Sequence, residues 1–271
     1  MSAVSFLGSQ AMESGVLSSG RLTLTSGGSA NTKGSYVQAI ASTSIPGAWV
    51  LLSLSRPTVT ATDLLVDVAV GGAGSEQVVI PNTVFSVNAL TTPAMSIYLL
   101  PLHIPAGSRV ALRAQSAGSS DTIDAQITIF APMAGGEKGL ERVEACGALT
   151  ATSLGTVVDS GGTAHTKGAW SELIAATTHP YHWVCLSLTH EGALSAGTSY
   201  LVDLGIGGAG SEVVVVPNLA FYGGSTSDCM TGPVVCFPLH IPAGTRVAAR
   251  SSCGATTSPD RVTEAVLHGV G

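Results

Sequence analysis

The sequence predicts an all-β chain of two tandem jelly-roll or β-sandwich domains arising from an internal duplication. Three observations carry this. Helix-forming Lys and Glu are scarce, whereas Gly, Ser, Thr and Val are abundant, a bias toward strands and turns. Short apolar, β-branched runs are punctuated by Gly, Pro, Asn or Ser every 10 to 15 residues. Finally, three blocks of sequence recur in the same order in the two halves.

In order along the first half, the strand-like runs are LTLTSGG (22–28), WVLLSLS (49–55), LLVDVAV (64–70), QVVIPN (77–82), SIYLLPL (96–102), RVALRAQS (109–116) and AQITIF (125–130). In the last of these Ile127 and Ile129 alternate with Gln126 and Thr128, so one face is buried and one is wet. Asp67 and Asp203 fall within strand-like runs and are placed on the outer face. GAWSELIAAT (168–177) has some helical character, but its counterpart GSYVQAIAST is β-branched, so both are read as strands.

The repeats set the domain plan. SGGSANTKGSY (26–36) matches SGGTAHTKGAW (160–170), an offset of 134. LLVDVAVGGAGSEQVVIPN (64–82) matches YLVDLGIGGAGSEVVVVPN (200–218), an offset of 136. PLHIPAG recurs at 101–107 and 238–244, an offset of 137. The drift fits small loop insertions, and the period is a domain length rather than a solenoid repeat. The expected domains are 1–132 and 140–271, joined by a linker at 133–139 in the Gly-rich, charged PMAGGEKG segment.

Composition excludes several classes. Hydrophobic residues make up 45% of the 271 and charged residues only 10%, well under the roughly 25% of an ordinary soluble domain. The net charge of −6, with no Lys/Arg cluster, excludes a phosphate-neutralising nucleic-acid binder. No 18-residue apolar run is present for a membrane span. The first residue of positive charge is Arg21, so no Sec signal peptide is expected. The five cysteines, Cys146, Cys185, Cys229, Cys236 and Cys253, all lie in the second half and lack counterparts in the first. They are read as free thiols of a protein made in a reducing compartment, with Cys229–Cys236 the one local pairing considered.

The repeated motifs favour shape over chemistry. GGAGSE lacks the GxGxxG spacing and a following Lys-Ser/Thr, so its glycines are read as a tight turn between strands. Glu76 and Glu212 behind it are placed to accept backbone N–H bonds or to pair with an arginine. His103 and His240 recur without a second shared histidine, which favours a backbone-bonded His over a metal ligand. Arg109/Arg113 and Arg246/Arg250, four apart, share a strand face and could bind a carboxylated glycan or pair with Asp67/Asp203 and Glu76/Glu212. Trp49 and Trp183 are read as core. No GxSxG, HExxH or paired catalytic carboxylates occur, so neither an enzyme nor a cofactor or metal site is expected.

KGAWSELIAAT, YLVDLGIGGAGSEVVVVPN and FPLHIPAGTRVAAR together resemble structural proteins of tailed phages and of phage-like particles of the gene transfer agent type. The second half carries all three stretches; the first departs at GSYVQAI and VALR. The resemblance implies a virion component assembled in the host cytoplasm, homo-oligomeric and bound to other capsid or tail proteins. On this reading it is a head spike or tail-fibre appendage that touches host surface polysaccharide. The alternatives are a purely structural adaptor and a secreted lectin. Sugar rings stack on aromatic faces, so the candidate glycan-binding residues are Tyr181, Tyr222 and Trp170, with Arg246 and Arg250 beside them.

Overall fold

The structure is a computed structural model that describes residues 12–14, 21–55, 62–87, 95–132, 139–147, 149–190, 198–223, 230–258 and 260–271. Every regular element among them is a strand, and no helix long and apolar enough to cross a membrane is present among them. The expected linker, 133–139, lies outside the described residues except for Gly139.

The first half forms two antiparallel sheets. One has the order β1 (Met12–Ser14), β9 (Thr122–Phe130), β4 (Trp49–Ser55), β7 (Met95–Leu100), with β2 (Leu22–Thr25) also on β9. The other is β3 (Val37–Ile40), β8 (Val110–Ser116), β5 (Thr62–Val70), β6 (Gln77–Val87). The second half repeats this order. Its sheets are β10 (Val143–Cys146), β18 (Val262–Val270), β13 (Tyr181–His190), β16 (Met230–Ile241), with β11 (Thr156–Asp159) on β18, and β12 (Ser171–Ile174), β17 (Val247–Cys253), β14 (Thr198–Ile206), β15 (Val213–Gly223). GAWSELIAAT, weighed between helix and strand, and its counterpart GSYVQAIAST each contain a strand, β12 and β3.

Alternation decides which side chains meet. In β4, Val50, Leu52 and Leu54 face Leu24, Phe85, Leu100 and Ile127 inside the first sandwich. Ile127 and Ile129 are buried and Gln126 is exposed, as their alternation predicts, but Thr128 is buried as well. In the second sandwich Val184, Leu186 and Leu188 of β13 face Tyr200, Phe221 and Leu267. Each such side chain contributes about 1.5–3 kcal/mol through removal from water.

The two sandwiches meet along a seam. Leu65 and Val84 of the first pack on Ala151, Leu154 and Val266 of the second. The Tyr98 hydroxyl lies 2.8 Å from Ser187 Oγ, and His268 Nε2 lies 2.9 Å from the Pro81 carbonyl. Trp49 and Trp183, expected in the core, are half-buried at this seam instead, edge to face with centroids 5.3 Å apart. They stand on the outer faces of their sheets, and Trp183 Nε1 donates to the Leu99 carbonyl at 3.1 Å.

The cysteines also differ from expectation. Cys185 and Cys236 form a disulfide, so Cys236 does not pair with Cys229, which lies outside the described residues. The β13–β16 register sets the two directly opposite one another, with their Cα atoms 4.0 Å apart. The first half has Leu51 opposite Leu99 at the same place. The counterpart of this pair is thus leucine, which a search for cysteine in both halves passes over. Cys146 and Cys253 are free and buried, and burial pushes the Cys146 thiol up to about 12.

Candidate functional site

Each half carries the same polar network on the outer face of its β3- or β12-containing sheet. Asp67 and Asp203 point outward between inward-facing neighbours, as placed from the sequence, yet both are buried beneath the groups that pair with them. Asp203 accepts from Lys167 Nζ at 2.7 Å, from the Asn218 amide at 2.9 Å and from Arg250 Nε at 3.0 Å. Asp67 accepts from Lys33 Nζ, the Asn82 amide and Arg113 Nε, each at 2.9 Å. Burial opposes the charge of Asp203, but these donors outweigh it and hold its carboxyl below the ordinary range. Lys33 and Lys167 belong to the repeated TKG and Asn82 and Asn218 to the repeated PN. Those matches held the signal for these residues, which the sequence reading left unused.

The remaining repeated residues settle into structural roles. Gly71, Gly74, Gly207 and Gly210 all have positive φ, the turn expected of GGAGSE. Glu76 accepts from the Gly74 amide and from Arg109 Nη1, both at 2.9 Å. Glu212 does the same with Gly210 and Arg246, at 3.0 and 2.8 Å. Gly107 and Gly244 take left-handed φ in the IPAG turn. His103 Nδ1 lies 3.0 Å from the Gly47 carbonyl, the backbone contact expected of it. His240 instead stacks on His182, centroids 5.1 Å apart.

The five candidate glycan residues separate. Tyr181 is fully buried, and its hydroxyl donates to Glu144 beside the Cys146 sulfur, so its ring has no face for a sugar. An inward position on β13 is the reason. Arg246 is held by Glu172 and Glu212, and Arg250 by Asp203. Trp170 is half-buried, with the Arg250 guanidinium 4.5 Å from its ring centroid. Tyr36 and Arg113 repeat that stack at 4.6 Å. Tyr222 alone of the five is well exposed, at 62%.

Tyr222 stands beside a cleft of about 670 Å³ at the open end of the same outer sheet face. Its cross-strand partner, Ser199, lines the cleft with His165, Leu201, Ser252, Thr256 and Asp260. The cleft thus offers hydroxyls, an imidazole and an apolar floor in Leu201, 42% exposed. Thr198, Ser199, Leu201, Ser252 and Cys253 come from the repeated strands β14 and β17, His165 from the repeated TKG block, and the rest from the loop after β17. Among the described residues, no three His, Cys, Asp or Glu side chains converge as a metal set.

No family model matches the chain, and no curated protein matches it. Among solved structures it is similar to the tandem CBM22-1–CBM22-2 region of Xyn10C from Paenibacillus barcinonensis, at 9% identity and TM-score 0.29, over 97% of this chain and 92% of that one. It is also similar to PNGF-II, at 9% identity and TM-score 0.37, over 92% of this chain and 65% of that one. A truncated AlyQ with CBM32 and alginate lyase domains aligns at 10% identity and TM-score 0.23, over 96% and 97%. Superpositions this loose carry no argument about ligand or activity, which rests on the residues.

Proposed function

We propose that the chain is a non-catalytic appendage protein of a phage-like particle, and that its second half contacts surface polysaccharide at the cleft beside Tyr222. The observation that carries the contact is the pairing of an exposed aromatic ring with a hydroxyl-lined cleft across one strand pair, Tyr222 opposite Ser199. A sugar needs both: an apolar face on which to stack and nearby groups to exchange hydrogen bonds with its hydroxyls. The arginine–carboxylate networks are spent on the scaffold, so the contact is with neutral hydroxyls rather than with uronates held by Arg246 or Arg250. The particle role rests on the sequence resemblance and on a low-charge β surface suited to packing among subunits.

The test is titration of surface polysaccharides into the full chain. Binding that Tyr222→Ala weakens about tenfold or more, roughly the 1.4 kcal/mol a stacked ring supplies, supports the reading. Unchanged affinity in the folded variant, or no binding by wild type, removes it. Imaging of purified particles tests the appendage role, which a chain absent from them would end.

A further inference from the structure

The seam inside the chain is a plug in a socket. The socket is the open side of the first sandwich, where edge strands β6 and β7 run. The plug is the outer face of the β10–β18–β13–β16 sheet together with Ala151 and Leu154 of the loop between β10 and β11. Ser187 reaches Tyr98, His268 reaches Pro81 and Trp183 reaches Leu99, while Leu65 and Val84 are sealed under Ala151, Leu154 and Val266.

Strand for strand, the second sandwich has the same socket, at β15 and β16, and it is open to solvent. Ala220 is exposed where Val84 is fully buried. Leu201 is exposed where Leu65 is fully buried, and Tyr222 where Ser86 is. The edge continues in Val213 and Val214, both exposed. The first sandwich likewise has the sheet part of the plug. Leu51 and Leu99 stand where Cys185 and Cys236 stand, and Ser53 where Ser187 does. On the same strand, Met95, Ile97 and Leu99 are 62, 42 and 37% exposed. Three apolar residues in alternation on the outer face of an edge strand are unusual for a surface left in water.

We propose that copies of this chain associate head to tail, the β7 outer face of one copy docking on the β15–β16 edge of the next and reproducing the internal seam. Tyr98, the hydroxyl anchor of the filled socket, is replaced by Val235 in the open one, which suits an apolar plug of Met95, Ile97 and Leu99. The two surfaces differ, so the contact is heterologous and either propagates or closes a ring. The inference does not depend on polysaccharide binding. It does bear on it, because a docked copy covers Leu201, Ala220 and Tyr222, which leaves the cleft open on the terminal copy of an open assembly and on no copy of a closed ring.

The test is sedimentation velocity of the full chain over a concentration series, with Ile97→Asp to spoil the plug and Ala220→Arg to spoil the socket. Wild type is expected to form species that grow with concentration, and each variant alone to remain monomeric. An equimolar mixture of the two is expected to give dimers and nothing larger, since one intact plug meets one intact socket. Circular dichroism and cooperative unfolding check that each variant folds; Met95→Lys and Leu201→Lys replace any that does not. A wild type that stays monomeric, variants that assemble normally, or a mixture that grows past dimers would overturn the proposal. A monomeric chain that still binds polysaccharide would end this inference and leave the polysaccharide reading standing.

Discussion

Gly205 is set by its neighbour rather than by its backbone. A Cβ there would lie 2.6 Å from Trp170 Cη2 and 2.8 Å from Cζ3, so the indole rests directly on the bare Cα. The first half has Ala69 at the same place on its strand and the smaller Tyr36 ring, stacked on Arg113, in place of Trp170. The larger ring thus goes with glycine and the smaller ring with alanine. Gly205→Ala is expected to destabilise by about 1–3 kcal/mol, the usual cost of overpacking a fixed ring. Adding Trp170→Tyr, which copies the first half, should return most of that loss. Urea unfolding of the single and double variants measures both. Additive losses in the double variant would show that ring and glycine are not coupled.

At the scale of strands and turns, much was legible and the rest has a physical reason. Strands announced themselves through alternation, as in Ile127 and Ile129, and turns through glycines that need positive φ, as in Gly71 and Gly207. The Arg–carboxylate pairs followed from strand spacing once their acids were named. The burial of Tyr181 was not legible, because which parity of β13 faces inward is set by partners distant in sequence. The disulfide was hidden for a related reason: a cross-strand pair is defined by register, and Cys185 and Cys236 are 51 residues apart. Closing a loop of that length stabilises by about 4 kcal/mol in the chain-entropy account. Reduction is therefore expected to lower the unfolding midpoint, measured by urea titration with and without a reductant. The Cys185→Leu/Cys236→Leu variant, carrying the leucine pair of the first half, should fold and lose its response to reductant. A midpoint that does not move on reduction of wild type would show that the bridge adds nothing to stability.

For the whole molecule, the seam ties stability to pH through His268. Its ring is fully buried between the halves, edge-on to Tyr98 with centroids 5.5 Å apart, and Nε2 is in hydrogen-bonding reach of the Pro81 carbonyl. Burial disfavours the imidazolium and brings the pKa down to about 4, from an ordinary 6.5, against smaller opposing contributions from the Pro81 and Asn82 backbone. In the folded chain the ring is neutral above about pH 4, whereas an unfolded chain takes up the proton near 6.5. Between those values the unfolded state binds more protons, so stability rises with pH through this window and is fully present above it. Acidification from pH 7 to 4 is expected to remove up to about 3 kcal/mol through this one group. Urea unfolding across that range, repeated with His268→Gln, isolates it: the variant does not titrate there, so its stability should fall less steeply between pH 6.5 and 4. Equal slopes in the two proteins would mean that His268 keeps an ordinary pKa and that the seam admits water. Since the ring belongs to one half and Pro81 to the other, the same protonation is expected to loosen the docking of the two sandwiches before either core melts. Limited proteolysis near pH 4 should accordingly cut first between the halves in wild type.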